Sequence, residues 1–202
     1  MRTHITDFLK KRGYRVNVKA LELIDTCDSW YRTELIDDFH KRCTVSGEKY
    51  EMARTGFAKK ACEDDANLCE VVDIILEDET TSDYVNEVLK KERFQKNLRE
   101  QLELIAAEGT AAAYVRVVGA DILETQELRG GQIELVYVKP SGIFPLKIEK
   151  GVITECAFAS ESVVDNKTRT TIVLFELKNG KYKATTVVLD DVGAEITGER
   201  LE

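Results

Sequence analysis

The sequence predicts an α+β fold, with N-terminal helices packed on a mainly antiparallel C-terminal sheet. Three observations carry that expectation. Up to about residue 108 the apolar residues recur at helical spacing, and from residue 109 they alternate with a period of two. The connections between the later runs are too short for the crossover helices that parallel strands need. The chain therefore divides into a mainly helical region, 1–108, and an antiparallel β region, 109–202.

Taken in order, "TDFLKKRG" over 6–13 reads as a first helix stopped by Gly13. Asn17 can cap a second helix, in which Leu21, Ile24, Cys27 and Tyr31 fall on one face beside Trp30. Residues 33–54 are irregular and suggest short strands or coil, with a turn at Ser46-Gly47. The clearest pattern predicts a third helix from Gly56 to Glu77, with Ala58, Ala61, Cys62, Leu68, Cys69, Val72 and Leu76 as its apolar stripe. Asp65 falls at the centre of that stripe, as a catalytic group, a partner for a cation, or a surface residue where the stripe is uncovered. Ser82 can cap a fourth helix, with Asp83 near its positive end and Lys90-Lys91 near its negative end. A fifth carries Phe94, Leu98, Leu102 and Ile105, with Gly109 as its C-cap.

Beyond Gly109, "TAAAYVRVVG" is apolar enough for a central strand, and "QIELVYV" alternates after a turn at Gly130-Gly131. "GVITECAFA" follows a turn at Lys150-Gly151, with Val152, Cys156 and Phe158 on one face. A turn at Asp165-Asn166-Lys167 leads to "TRTTIVLFEL", and Asn179-Gly180 joins that strand to "KYKATTVVL" in a hairpin. Both prolines of the chain, Pro140 and Pro145, stand between the second and third of these runs. Pro140 lacks an amide donor and ends the ladder of Tyr137–Lys139, while Pro145 confines its segment to an edge.

Composition narrows the function classes. Charged residues make up 33% and the net charge is −8, so the surface at large repels phosphate backbones. The basic pairs and triplets, Lys10–Arg12, Lys59-Lys60 and Lys90-Lys91, are separated and read as solvated helix faces. The N-terminus has no signal-peptide core, and no apolar run approaches the roughly 18 residues of a membrane span. The 5 cysteines, Cys27, Cys43, Cys62, Cys69 and Cys156, form no CxxC pair and fit reduced thiols in a cytoplasmic setting.

Chemistry is sparse. Phosphate-binding glycine loops and nucleophile elbows are missing from the sequence, and Gly130-Gly131 suits a turn better than a phosphate cradle. His4 and His40 have no ligand-type neighbours at metal spacing and no paired nucleophile. The candidate carboxylate pairs are Glu63-Asp64-Asp65, whose adjacent acids diverge on a helix, Glu77-Asp78-Glu79, which crosses a predicted helix end, and Asp190-Asp191, just beyond a strand. No catalytic, cofactor-binding or metal-ligating residue is expected, and no cofactor.

Three segments together carry a resemblance: "AKKACEDDANLCEVVDIILEDE" (58–79), "LELIAAEGTAAAYVRVV" (102–118) and "YVKPSGIFPLKIEKGVITECAFAS" (137–160). In order and spacing they resemble the portal proteins of tailed bacteriophages infecting Gram-positive bacteria, also found in prophages. The matched residues are Trp30-Tyr31 closing a helix, then Lys60, Cys62, Glu63, Asp64, Ala66, Asn67 and Leu68, then Ile143–Leu146 and Glu155–Phe158. Asp65 stands where that family has an aromatic residue.

The resemblance implies a structural role in a virion, at one capsid vertex, after assembly in the bacterial host cytoplasm. It implies self-association of the full-length protein into a ring through which DNA is packaged and ejected. Its partners would be terminase, capsid or scaffold proteins and head–tail adaptors, with no membrane. The present residues correspond to one wing-like domain cut before stem and clip, with Leu201-Glu202 resembling a cloning scar. A head–tail adaptor or minor capsid protein without DNA passage is the alternative, and a carboxylate enzyme using Asp65 is the more distant one.

Overall fold

The computed structural model describes residues 2–32, 56–71, 73–122, 128–178 and 180–196. The expected irregular segment 33–54, with its Ser46-Gly47 turn, His40 and Cys43, lies outside them. The described chain is α+β, with 5 helices followed by 6 strands. The helices are α1 (Arg2–Lys11), α2 (Val18–Tyr31), α3 (Phe57–Ala66), α4 (Glu79–Lys91) and α5 (Phe94–Glu108). The strands are β1 (Ala112–Ile122), β2 (Leu128–Val138), β3 (Ile143–Glu149), β4 (Val152–Val164), β5 (Lys167–Lys178) and β6 (Lys181–Leu189). They form two compact units: Met1–Val18 with Ala112–Glu202, and Lys19–Ala111.

In the strand-rich unit, β3 to β6 make one antiparallel sheet in chain order. Each hairpin closes over two residues: Glu149 pairs with Val152, Val164 with Lys167, and Lys178 with Lys181. Asp165 and Asn166 have φ of 52° and 59°, as a type I′ turn requires, and this twist suits two neighbouring strands. The Asp165-Asn166-Lys167 turn is therefore tight.

Alternation gives the sheet two faces. Phe144, Ala157, Ala159, Ile172, Leu174, Val187 and Leu189 lie on one and are buried. Ile5, Phe8 and Leu9 of α1 are buried too, and that helix is fixed at this face by Tyr14 bonding to Glu176. Cys156, Phe158, Val173 and Phe175 lie on the other face, where Tyr114 of β1 stacks on Phe158 at 5.5 Å.

β1 and β2 form a separate two-stranded ribbon, so β1 is not the central strand its apolar content suggested. Its apolar residues serve opposite faces. Tyr114 packs inward, while Val115 and Val117 remain largely exposed across from Leu135 and Ile133. Gly130-Gly131 is not a hairpin turn either. Both lie inside β2 at positive φ, opposite the similarly placed Gly119, and 123–127, between β1 and β2, lies outside the described residues.

Pro140 opens a short 3-10 turn over Pro140–Gly142 that ends the ribbon's ladder, and it is fully buried. Pro145 lies in β3, an edge strand whose register slips between Pro145 and Lys147.

In the helical unit the third helix is shorter than its periodicity suggested. It stops at Ala66 instead of Glu77, and Asn67 caps its last carbonyls. The described residues that follow, up to Leu76, are not helical, and Leu68 and Ile75 are more than four-fifths exposed. The proposed stripe is thus two segments, and Asp65 is simply exposed. Ser82 is not the cap of α4. Asp78 is, its carboxylate accepting from Thr81 N at 2.8 Å, while Ser82 sits buried one turn later. Gly109 caps α5 at φ 80°, as expected.

Candidate functional site

The residues most able to do chemistry are dispersed. His4 lies against Gly193, whose absent Cβ would come within 2.7 Å of the imidazole Nδ1. In the acidic run of α3, Lys60 pairs with Asp64 at 2.7 Å and Lys59 approaches Glu63 at 3.9 Å. Asp65 belongs to neither of those i,i+4 pairs and is exposed. Asp78 is committed to its cap, and its carboxyl is held below the usual range by the bonds from Thr81. Asp190 accepts the amides of Val192 and Ala194 at 3.1 and 2.7 Å and so closes the turn after β6. Among the described residues no three acids, histidines or cysteines converge as metal ligands would.

Two tyrosine–carboxylate pairs are better ordered. In the helical unit Tyr31 Oη donates to Glu103 Oε1, and Lys59 Nζ lies 5.8 Å from the same ring's centroid. Tyr31 of α2 thus ties together α3 and α5. Burial first, and then the Glu103 hydrogen bond, push its phenol upward. Cys62 beside it is also pushed up, by burial and by the Glu103 charge. Both shifts favour the protonated forms of Tyr31 and Cys62 near neutral pH. Cys156, raised to about 11 by burial, is likewise protonated there.

What the helical unit does present is a held backbone. Residues 69–71 and 73–76 are neither helix nor strand, and side chains from α4 and α5 bond to their backbone. Gln95 accepts from Val71 N at 3.0 Å and donates to Cys69 O at 3.4 Å. Asn86 accepts from Ile74 N at 3.0 Å and donates to the same residue's carbonyl at 2.8 Å. Ser82 Oγ accepts from Leu76 N at 2.8 Å. A groove of about 570 Å³ lies between this segment and the α4–α5 corner, lined by Val71, Asp73, Leu89, Lys90, Arg93 and Phe94 among others.

Periodicity missed this feature because Leu68, Cys69 and Leu76 happen to continue the α3 stripe. The signals against a helix were the paired β-branched residues at 71–72 and 74–75, and the cap sequence Asp78-Glu79-Thr80-Thr81. In the strand-rich unit a second cavity of about 290 Å³ lies between ribbon and sheet, bordered by Tyr114, Val136, Val138, Gly142, Phe158 and Ser160.

No protein-family model, curated protein or solved structure matches this chain.

Proposed function

We propose that the chain is the wing-like part of a phage portal subunit, a structural component of the ring through which DNA enters and leaves a capsid. The observation that carries this reading is the ordered set of three segments quoted above. They fall on α3 and the residues after it, on the α5–β1 junction, and on β2, β3 and β4. Within them Pro140, Gly142 and Gly109 serve backbone geometry. The exposed, dispersed carboxylates fit such a role better than acid–base chemistry, and Asp65 does not line the groove at 71–96.

Negative-stain microscopy of the complete gene product tests the reading. Rings, with terminase encoded alongside, are the expected result; a stable monomer or closed dimer would overturn it in favour of an adaptor. The 202-residue chain itself is expected to self-associate weakly or not at all by light scattering. With a net charge of −8 it should also give no DNA gel shift at moderate salt.

A further inference from the structure

We propose that the free end of β4, Ser160–Val164, receives an extended segment of a partner protein by strand addition, with one apolar side chain of that segment seated in the cavity at its base. β3 begins at Ile143, opposite Phe158, so the last residues of β4 are paired on one side only, with Lys167–Thr171 of β5. The register shows which groups are left over. Across the tight turn at Asp165-Asn166, Val164 and Lys167 form the closing hydrogen-bonded pair. Bonded pairs then recur at every second residue, Ser162 with Arg169 and Ser160 with Thr171. Ala159, Glu161 and Val163 therefore turn their N–H and C=O groups away from β5. The Ala159 carbonyl bears out that direction, since it lies against Gly142, the residue before β3. Among the described residues nothing bonds the outward main-chain groups of Glu161 and Val163, and the Val163 side chain is 72% exposed.

The sheet's outer edges are guarded, and this one is not. β3 carries Pro145 and a register slip. β6 carries Lys181 and Lys183, and the Val188 carbonyl and Asp190 amide on its outer side are taken by Ile196 and Ala194. Ser160–Val164 contains neither proline nor lysine. β5 already holds it extended, so less freedom is lost when a strand is added.

Charge and the cavity select the occupant. An antiparallel strand in line with β3 would set successive residues opposite Val163, Ser162, Glu161 and Ser160. The residue opposite Glu161 shares its face, so a cation there meets the carboxylate. The next residue, opposite Ser160, falls on the face of Phe158, beside the cavity of about 290 Å³ that Tyr114, Val136 and Phe158 border. Ser160 and Glu161 belong to both the cavity wall and the free edge. The fitting order is therefore valine or isoleucine, any residue, lysine or arginine, then a large apolar residue. A second copy of this chain is the poorer occupant. Pairing β4 with itself about Ser162 would set Asp165 of one copy opposite Ala159 of the other, where Gly142 already sits. The inference does not rest on the portal reading.

The test uses the 202-residue chain and a blocked hexapeptide, Thr-Val-Thr-Lys-Phe-Thr, with versions carrying glutamate for its lysine or alanine for its phenylalanine. Amide hydrogen exchange is followed residue by residue by NMR. The parent peptide should slow exchange at Glu161 and Val163 by about tenfold or more, shift the ring signals of Tyr114 and Phe158, and leave the β6 amides unchanged. Added salt should weaken the effect, and both altered peptides should bind less well. Val163→Pro removes one outward amide and should abolish protection at Glu161. The amides of Ser160 and Ser162, which face β5, report whether that variant keeps the hairpin. Glu161→Lys leaves the edge intact and should reverse the preference between the lysine and glutamate peptides. No slowing at Glu161 and Val163 at millimolar peptide, or equal response to all three peptides, would overturn the proposal. So would protection without peptide that grows with protein concentration, which would mark a second copy as the occupant.

Discussion

Tyr14, just beyond α1, donates its hydroxyl hydrogen to Glu176 of β5, a residue 162 positions away. The same carboxylate receives Lys178 Nζ at 3.0 Å. Glu176 therefore gathers one neutral and one charged donor at the end of the buried sheet face, and Tyr14 pins the helix to it.

Removing the Tyr14 hydroxyl leaves the half-buried carboxylate one donor short. Tyr14→Phe should lower stability at pH 7 by about 1 kcal/mol, because Lys178 and solvent still serve Glu176. Denaturant unfolding should show a lower midpoint and an unchanged slope.

The pair also sets a pH response. Burial, followed by the bond to Glu176, raises the Tyr14 phenol from 10.0 to about 12. Its contribution is therefore complete below pH 10, where folded and unfolded chains both keep the proton, and is lost as pH climbs toward about 12. Glu176 is lowered from 4.5, chiefly by Tyr14, so its contribution holds above 4.5 and fades as pH falls below it. Tyr14→Phe should flatten both limbs, which parallel denaturation curves across the pH range would read.

Gly142 is required for space rather than for an unusual φ. A Cβ there would meet the Ala159 carbonyl oxygen at 2.3 Å, and that atom belongs to a paired strand. Gly142→Ala should cost roughly 1–3 kcal/mol, with thermal unfolding as the measure. A neutral result would mean that the 3-10 turn moves freely over β4.

The ribbon is attached to the sheet through three rings. Tyr114 stacks on Phe158 at 5.5 Å and meets Phe175 edge-on at 5.6 Å. A double-mutant cycle with Tyr114→Leu and Phe158→Leu should return a coupling of about 0.5–1.5 kcal/mol. Zero coupling would detach the ribbon from this face.

Thiol reactivity should follow burial. Cys69 is exposed, whereas burial raises Cys156 to about 11 and also raises Cys62. Labelling of the native protein at pH 8 with a thiol reagent, read by peptide mass spectrometry, should modify Cys69 well before Cys156. Equal rates at the two would contradict the packing of β4.

Much of the fold was legible because strand alternation and turn chemistry agree. Lys150-Gly151, Asp165-Asn166 and Asn179-Gly180 each marked a hairpin that forms. The helical stripe was less faithful, since a repeat such as Leu68, Cys69, Val72 and Leu76 says nothing about whether anything covers it. Its true constraint was distant: Asn86 and Gln95 bind the backbone beyond α3, and single amides on a helix carry no periodic signal. The ribbon misled for a related reason. Val115 and Val117 made β1 look doubly buried, but one of its faces stays open. Of the candidate site only the β-branched pairs at 71–72 and 74–75 and the Asp78 cap gave a signal, because the bonds that shape it are to main-chain groups.

The strand-rich unit is built from both ends of the chain, Met1–Val18 and Ala112–Glu202. During synthesis α1 therefore leaves the ribosome long before its sheet exists. Ile5, Phe8 and Leu9 must wait for the later-made strands of their unit, although the helical unit between can already mature. The order of translation runs against the order of packing here, so the apolar face of α1 waits longest for its partner.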